Sequence, residues 1–281
     1  MTSAAASGPA SGATGRGILV TGASRGIGAA VAEAFAGRGD RVAVHHRSAV
    51  DRAEAVLAGL PGQGHLRVQA DIGDADEVAA MVAAAVEGLG RIDVLVNNAA
   101  LFTEAPADLA GGGSRRVDHP VDRVAYDQWV QAWRRTVDVN LLGTANVTWC
   151  VVRHMLDVEP AAGRPRGRVV NVGSRGAYRG EPDVPAYGAS KAGVHSLGQS
   201  LARALGPHGI SVTSVAPGFV ATDMAAQHLD GPSGDSVRSQ SPFGRVARPQ
   251  EVADAVVYLA EQGSEWASGA VLDLNGASYL R

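Results

Sequence analysis

A tyrosine and a lysine stand four residues apart in Tyr187-Gly188-Ala189-Ser190-Lys191. On a helix, positions i and i+4 share a face, so both side chains reach one place. A free phenol titrates near ~10, too high for a base at neutral pH. A neighbouring ammonium favours the phenolate and is expected to lower that value. Such a pair can give a proton to a carbonyl oxygen during reduction, or take one from an alcohol during oxidation. Ser174 closes Asn171-Val172-Gly173-Ser174, thirteen residues before Tyr187. A hydroxyl there can hydrogen-bond an oxygen on which charge develops. A Tyr-x-x-x-Lys spacing is common on its own, so its meaning depends on the rest of the chain.

Tyrosine and lysine cannot carry a hydride; that belongs to a cofactor. The front of the chain reads as a place for one. Thr21-Gly22-Ala23-Ser24-Arg25-Gly26-Ile27-Gly28 follows a short apolar run and opens an Ala-rich helical stretch. Glycines let backbone approach a pyrophosphate, and a helix N-terminus offers free N–H groups and the positive end of a dipole. The strand-to-helix context supports the assignment. The second strand ends in His45-His46-Arg47-Ser48. An acidic residue at that point would bond the ribose hydroxyls and repel a 2′-phosphate. His46 fills the place and Arg47 follows, with Arg25 expected on the same side. Two guanidinium groups and no carboxylate favour NADP(H) over NAD(H).

Elements must bring these residues together. Strands are expected at Ile18 to Val20, Val42 to Val44, Leu66 to Val68, Ile92 to Val96, Arg168 to Val172, Ile210 to Val215 and Ala270 to Leu274. Helical patterns intervene, at about Gly26 to Gly37 and Asp74 to Glu87 among others. Alternation over the whole length implies an α/β fold, a single Rossmann-type domain with a doubly wound, seven-stranded parallel sheet and helices on both faces. The strands read as continuous apolar runs, as sheets covered on both faces require. In such folds the ligand sits beyond the carboxyl ends of the strands. Two stretches break the rhythm. Thr103 to Val124 reads as an inserted surface loop and Gly218 to Arg248 as a mobile substrate lid. Residues 1–14 read as a disordered tail, leaving 15–281 as the domain.

The Gly-x-x-x-Gly-x-Gly spacing and the Tyr-x-x-x-Lys helix resemble the short-chain dehydrogenase/reductase family over nearly the whole chain after the tail. The resemblance implies further roles. Asn140, in Val139-Asn140-Leu141-Leu142-Gly143, matches an asparagine that holds a water beside the lysine. Asn140, Ser174, Tyr187 and Lys191 then form a complete catalytic set. Asp71-Ile72 matches an adenine contact, although an Asp there can equally cap the next helix. Asn98 and Ala99 match a cofactor-contacting turn, with Ala100 where a glycine is usual. Pro217-Gly218-Phe219-Val220-Ala221-Thr222 matches the segment that orients the nicotinamide carboxamide, through Val220 and Thr222. Lys191 is also expected at the nicotinamide ribose.

Within the family the chain is most similar to the 3-oxoacyl-(acyl carrier protein) reductase-like branch. Ser211 to Val220, Gly244 to Ala253 and Leu274-Asn275-Gly276-Ala277 carry that likeness, with Ala277 where a second glycine is usual. Two features depart from carrier-protein-dependent members: His208 replaces a usual Arg, and the Thr103 to Val124 insertion reshapes the rim. Arg115 and Arg116 in that insertion read as a solvated pair. The resemblance implies a homotetramer, or a homodimer, built through long middle helices, here Asp127 to Met155 and Ala189 to Leu205, and Ser278 to Arg281 could also reach a neighbour.

Composition narrows the classes. The formal net charge of −3 leaves no field to recruit nucleic acid or an anionic membrane. No apolar run approaches the ~20 residues of a membrane span. Cys150 is the sole cysteine, so no internal disulfide can form, as suits a cytoplasmic protein. No metal site is expected. The leading expectation is NADPH-dependent reduction of a ketone, 3-oxoacyl-like, to a secondary alcohol, or the reverse. Two others stand beside it: a cofactor-sensing protein without turnover, and an epimerase or lyase that recycles its cofactor.

Overall fold

The computed structural model describes residues 15–102, 118–160, 165–222, 225, 229, 234–261 and 263–281. The proposed tail, Arg115, Arg116, most of the insertion and part of the lid lie outside the described residues. Seven strands form one sheet: β1 Gly17–Val20, β2 Arg41–His46, β3 Leu66–Gln69, β4 Val94–Asn97, β5 Gly167–Val172, β6 Ile210–Pro217 and β7 Val271–Leu274. Their spatial order is β3-β2-β1-β4-β5-β6-β7, and every pairing is parallel. The chain therefore winds outward in one direction from β1 and, after crossing back, in the other from β4. Ligands of such sheets bind at that reversal, outside the carboxyl ends.

Helices cover both faces: α1 Gly26–Ala36, α2 Val50–Gly59, α3 Ala75–Leu89, α4 Tyr126–Val137, α5 Thr144–Asp157, the short α6 Gly176–Arg179, α7 Pro185–Leu205, α8 Gly234–Ser239 and α9 Pro249–Leu259. Side chains alternate across each strand, so Ile18 and Val20 of β1 join one apolar layer and Leu19 the other. The first layer includes Val31 and Phe35 of α1 with Val252 and Val256 of α9. The second includes Met81 and Leu89 of α3 with Val147, Val151 and Met155 of α5.

Where the expected bounds moved, a local cause is visible. α3 runs to Leu89, where Gly90 takes φ 71° and stops it. Asp74 caps its other end, accepting from the N–H groups of Asp76 and Glu77. β2 continues two residues beyond Val44, because His45 and His46 pair with Val68 and Gln69 of β3. Both imidazoles are buried there at hydrogen-bonding distance from a partner, which is how polar residues are tolerated in a covered strand. The helix expected to carry Asn140 is interrupted: α4 and α5 are joined by a π-helical turn, Asp138–Gly143, a distortion often found at functional sites.

Candidate active site

The turn after β1 is built from its glycines. Gly22 and Gly26 hold φ at 65° and 57°, which side chains rarely adopt. A Cβ on Gly28 would lie 2.3 Å from the Gly22 carbonyl and 2.6 Å from the Asn98 amide. Ser24, Arg25 and Ile27 lie between, with Arg25 exposed immediately before α1. Asn98 braces the turn from β4, its Nδ2 donating to the carbonyls of Thr21 and Gly22 at 2.9 and 3.0 Å. The N–H groups of Asn98 and Ala99 donate in turn to Thr21 Oγ1.

His45 braces it from β2. Its Nδ1 accepts from Gly22 N–H at 2.9 Å while Nε2 faces the Ala70 carbonyl at 3.1 Å. That pairing requires a neutral ring with the proton on Nε2. Burial pushes this histidine down to about 4. These bonds bring the end of β2, with exposed Arg47 and Ser48, to the same rim as Arg25. The cradle therefore has the narrow backbone and the positive surroundings that a phosphorylated dinucleotide needs.

Asp71 and Ile72 follow β3 on this rim. Asp71 does not cap α3; Asp74 does. The Asp71 carboxylate accepts from Gly73 N–H at 2.9 Å and pairs with Arg135 of α4 at 2.7 Å. Ile72 is buried, its carbonyl 2.5 Å from where a Cβ on Gly143 would lie. Beyond β6, Gly218 packs on Asn275. Val220 bridges to Ala247, the Ala221 N–H donates to the Ala247 carbonyl, and the Ala247 N–H donates to that of Phe219. The two stems of the expected lid are thus tied together. A Cβ on Gly26 would reach the Thr222 methyl at 3.1 Å, so the segment from Pro217 closes back over the turn.

Ser174, Tyr187 and Lys191 converge, the last two from one face of α7. Ser174 hydrogen-bonds the Tyr187 phenol. Phe102 meets the Tyr187 ring edge-on, with centroids 4.7 Å apart. The Lys191 Nζ lies 5.8 Å from the centroid of that ring and donates to the Val172 carbonyl at 2.8 Å. The expected lowering of the phenol is not what the geometry yields. Burial pushes Tyr187 up to about 12, against the opposing effect of the Ser174 bond. Burial also pushes Lys191 down to about 8. Each group resists charge in this enclosed place, because neither has bulk water to solvate it.

Asn140 joins the cluster through neighbours. Its Oδ1 accepts from Leu101 N–H at 2.7 Å, and its Nδ2 lies 2.9 Å from the Leu101 carbonyl and 3.1 Å from Ser190 Oγ. Ser190 donates to the Tyr187 carbonyl at 2.8 Å. Asn140 therefore clasps the segment following β4 to the helix of Tyr187.

Several contributors escaped the sequence reading. His119, at the near end of the insertion, is fully buried and accepts from Ala186 N–H at 3.4 Å, one residue before Tyr187. His195, one turn after Lys191, stacks on Tyr178 with centroids 5.1 Å apart. Neither ring nitrogen of His195 finds a partner, and burial pushes it down to about 4. Arg175, next to Ser174, is buried among Gln240, Ser278 and Phe219. Only the i+4 spacing of Lys191 and His195 hinted at any of these.

The comparisons agree with this geometry. A family profile described as short chain dehydrogenase matches residues 16–232. A 3-oxoacyl-[acyl-carrier-protein] reductase of Staphylococcus aureus is 34% identical over 265 residues, covering 93% of this chain and 97% of that protein. A short chain dehydrogenase from Burkholderia cenocepacia J2315, solved in complex with NADP, has a TM-score of 0.78 at 32% identity, over 95% of this chain and 98% of its own. A 3-ketoacyl-(acyl-carrier-protein) reductase from Brucella melitensis, complexed with NADH, has a TM-score of 0.80 at 28% identity, over 95% and 99%.

Proposed function

This chain belongs to the short-chain dehydrogenase family, in its 3-oxoacyl-(acyl carrier protein) reductase-like branch, and on that premise we propose that it reduces a 3-oxoacyl-like ketone to a secondary alcohol with NADPH. It is an oxidoreductase of the CH–OH/C=O class that uses a nicotinamide cofactor. The observation that carries the finer reading is the enclosed Ser174–Tyr187–Lys191 cluster on the rim that also holds the glycine turn.

In this reading Gly22, Ser24, Gly26, Ile27 and Gly28 receive the pyrophosphate. Arg25, Arg47 and Ser48 receive the 2′-phosphate, since no carboxylate stands at the end of β2 to repel it. Asp71 and Ile72 flank the adenine, and Asn98 and Ala99 line the path onward. Pro217, Gly218, Val220 and Thr222 orient the nicotinamide, which when bound supplies or accepts hydride. Ser174 and Tyr187 hold the substrate oxygen between two hydroxyls. Tyr187, uncharged because burial disfavours the phenolate, donates its proton as negative charge forms on that oxygen. The Lys191 ammonium stabilises the phenolate left behind, and Asn140 keeps the helix of Tyr187 in register with Leu101.

The test follows absorbance at equal NADPH and NADH with a 3-oxoacyl thioester and small oxo-ester analogues. NADPH should be oxidised faster, and Arg47→Ala should narrow the ratio by roughly tenfold, the worth of a charge-assisted hydrogen bond. Tyr187→Phe should lower turnover by roughly 10²–10⁴-fold while NADPH still binds. Near-normal activity in that variant would overturn the assignment of Tyr187. Tight NADPH binding without oxidation on any ketone would shift the reading to a sensor. Product formation without net NADPH oxidation would shift it to an epimerase or lyase.

A further inference from the structure

Arg175 is the residue after Ser174 and is only 4% exposed. One of its terminal nitrogens donates to Ser278 Oγ in the C-terminal tail and the other to Gln240 Oε1, at 2.5 Å. Its guanidinium lies 5.0 Å from the centroid of the Phe219 ring. Among the described residues it has no carboxylate partner. A buried guanidinium normally has one, because removing a cation from water costs several kcal/mol. Arg168, equally buried in β5, shows the usual solution, an ion pair with Glu265. Burial and the neighbouring Arg179 bring Arg175 down to about 10, with Glu181 opposing.

A cavity of about 320 Å³ opens beside it. Phe219, Val237 and Leu274 give it apolar lining, and Arg175 and Gln240 give it polar lining. Two acids also line it: Glu251 is paired with Arg245 at 2.7 and 2.8 Å, and Asp273 accepts from Arg281 at 2.9 Å through Oδ2 while its Oδ1 is buried without a partner among the described residues. The space equals roughly ten waters at ~30 Å³ each, enough for a short organic acid. Arg175 and Arg245 bring two guanidinium groups to this lining beside the two acids, and Arg175 is the one with no carboxylate partner among the described residues. A partly apolar pocket with a few placed polar groups is the usual form of a small-molecule site.

We propose that this cavity is an anion subsite beside the catalytic loop, in which Arg175 receives the carboxylate of a ligand whose short apolar body lies on Phe219, Val237 and Leu274. The carboxylate has two possible sources: the far end of the carbonyl substrate, which rests on the ketoreductase reading, or a separate organic acid, which does not.

Two arms separate them, both read on the full chain. In the binding arm, hexanoate should raise the melting temperature of the wild type and methyl hexanoate should not. Arg175→Met should abolish the shift, and Arg175→Lys should retain part of it. In the kinetic arm, an oxo acid and its methyl ester are compared by kcat/KM. A preference of about tenfold for the acid, collapsing in Arg175→Met, assigns the carboxylate to the substrate. Hexanoate binding without that preference assigns it to a separate acid. If the wild type distinguishes acid from ester in neither arm, the subsite does not exist, whether or not Arg175→Met folds. If Arg175→Met weakens acid and ester equally, Arg175 is a strut between loop and tail, and the proposal fails. The binding arm needs no turnover, so absence of ketone reduction would remove the ketoreductase reading and leave this one standing.

Discussion

At Tyr187 enclosure and the charge of Glu181 act against a hydrogen bond. Enclosure by Phe102 and the surrounding helix raises the phenol, and the Ser174 bond lowers it. Enclosure wins, so the group rests protonated at neutral pH. Lys191 gives one of its three N–H donors to the Val172 carbonyl, which leaves two for other acceptors, with Nζ 5.8 Å from the centroid of the Tyr187 ring. Ala277 shows a different single-residue effect. It holds φ at 58°, the only described non-glycine residue at positive φ. It stands where the sequence likeness expected glycine. A Cβ in that region costs roughly 1–2 kcal/mol. Ala277→Gly should therefore stabilise the protein by about 1 kcal/mol, after the extra entropy of unfolded glycine is subtracted. Chemical denaturation would show a higher midpoint at unchanged slope; an unchanged midpoint would mean the strain is absent.

Among the elements, the π-helical turn between α4 and α5 is the junction to probe. It places Asn140 so that one amide serves both the backbone of Leu101 and Ser190 on α7. Asn140→Ala leaves the buried Leu101 N–H and carbonyl without that partner, at about 1–3 kcal/mol for each orphaned group. The variant should melt earlier and turn over more slowly, since Tyr187 loses its tether to the strand side of the cleft. NADPH affinity should change little, because the glycine turn is held separately by Asn98 and His45. Equal losses in NADPH affinity and turnover would show that the two halves of the rim are not independent.

At the scale of the molecule, acid and self-association are the informative variables. His45 and His195 are both held near 4 by burial, whereas an unfolded histidine titrates near its ordinary 6.5. Between those values the unfolded chain binds protons that the native chain refuses, so stability falls as pH drops from 6.5 towards 4. Melting temperature against pH should slope accordingly, and His195→Gln should flatten the slope; an identical slope would exclude His195 as a contributor. The surface carries Trp149, 67% exposed on α5, and Trp266, fully exposed beyond α9. We propose that these exposed indoles belong to subunit interfaces of the homotetramer or homodimer that the family likeness implies. Sedimentation velocity should give a species four times the chain mass, and Trp149→Glu should reduce it to smaller forms; a monomeric wild type would end that reading.

Much of this protein was legible without coordinates because the signals are local. Apolar runs alternating with helical patterns specify a parallel sheet covered on both faces, and that sheet has its binding rim at the carboxyl ends. The glycines of the first turn and the Tyr187–Lys191 spacing act through neighbours in sequence, so their geometry follows from helix and turn rules alone. Tertiary structure decided what depends on distant partners. Whether a histidine such as His45 is solvated or locked depends on β1 and β3 lying beside it. Whether Asp71 caps a helix or pairs with Arg135 depends on where α4 falls. Burial in the folded protein shifts Tyr187 and Lys191 away from their ordinary values, and no spacing encodes how deeply a side chain is enclosed. Arg175 has the same lesson: a guanidinium beside a serine reads as surface charge until the lid and tail close over it and leave it without a carboxylate.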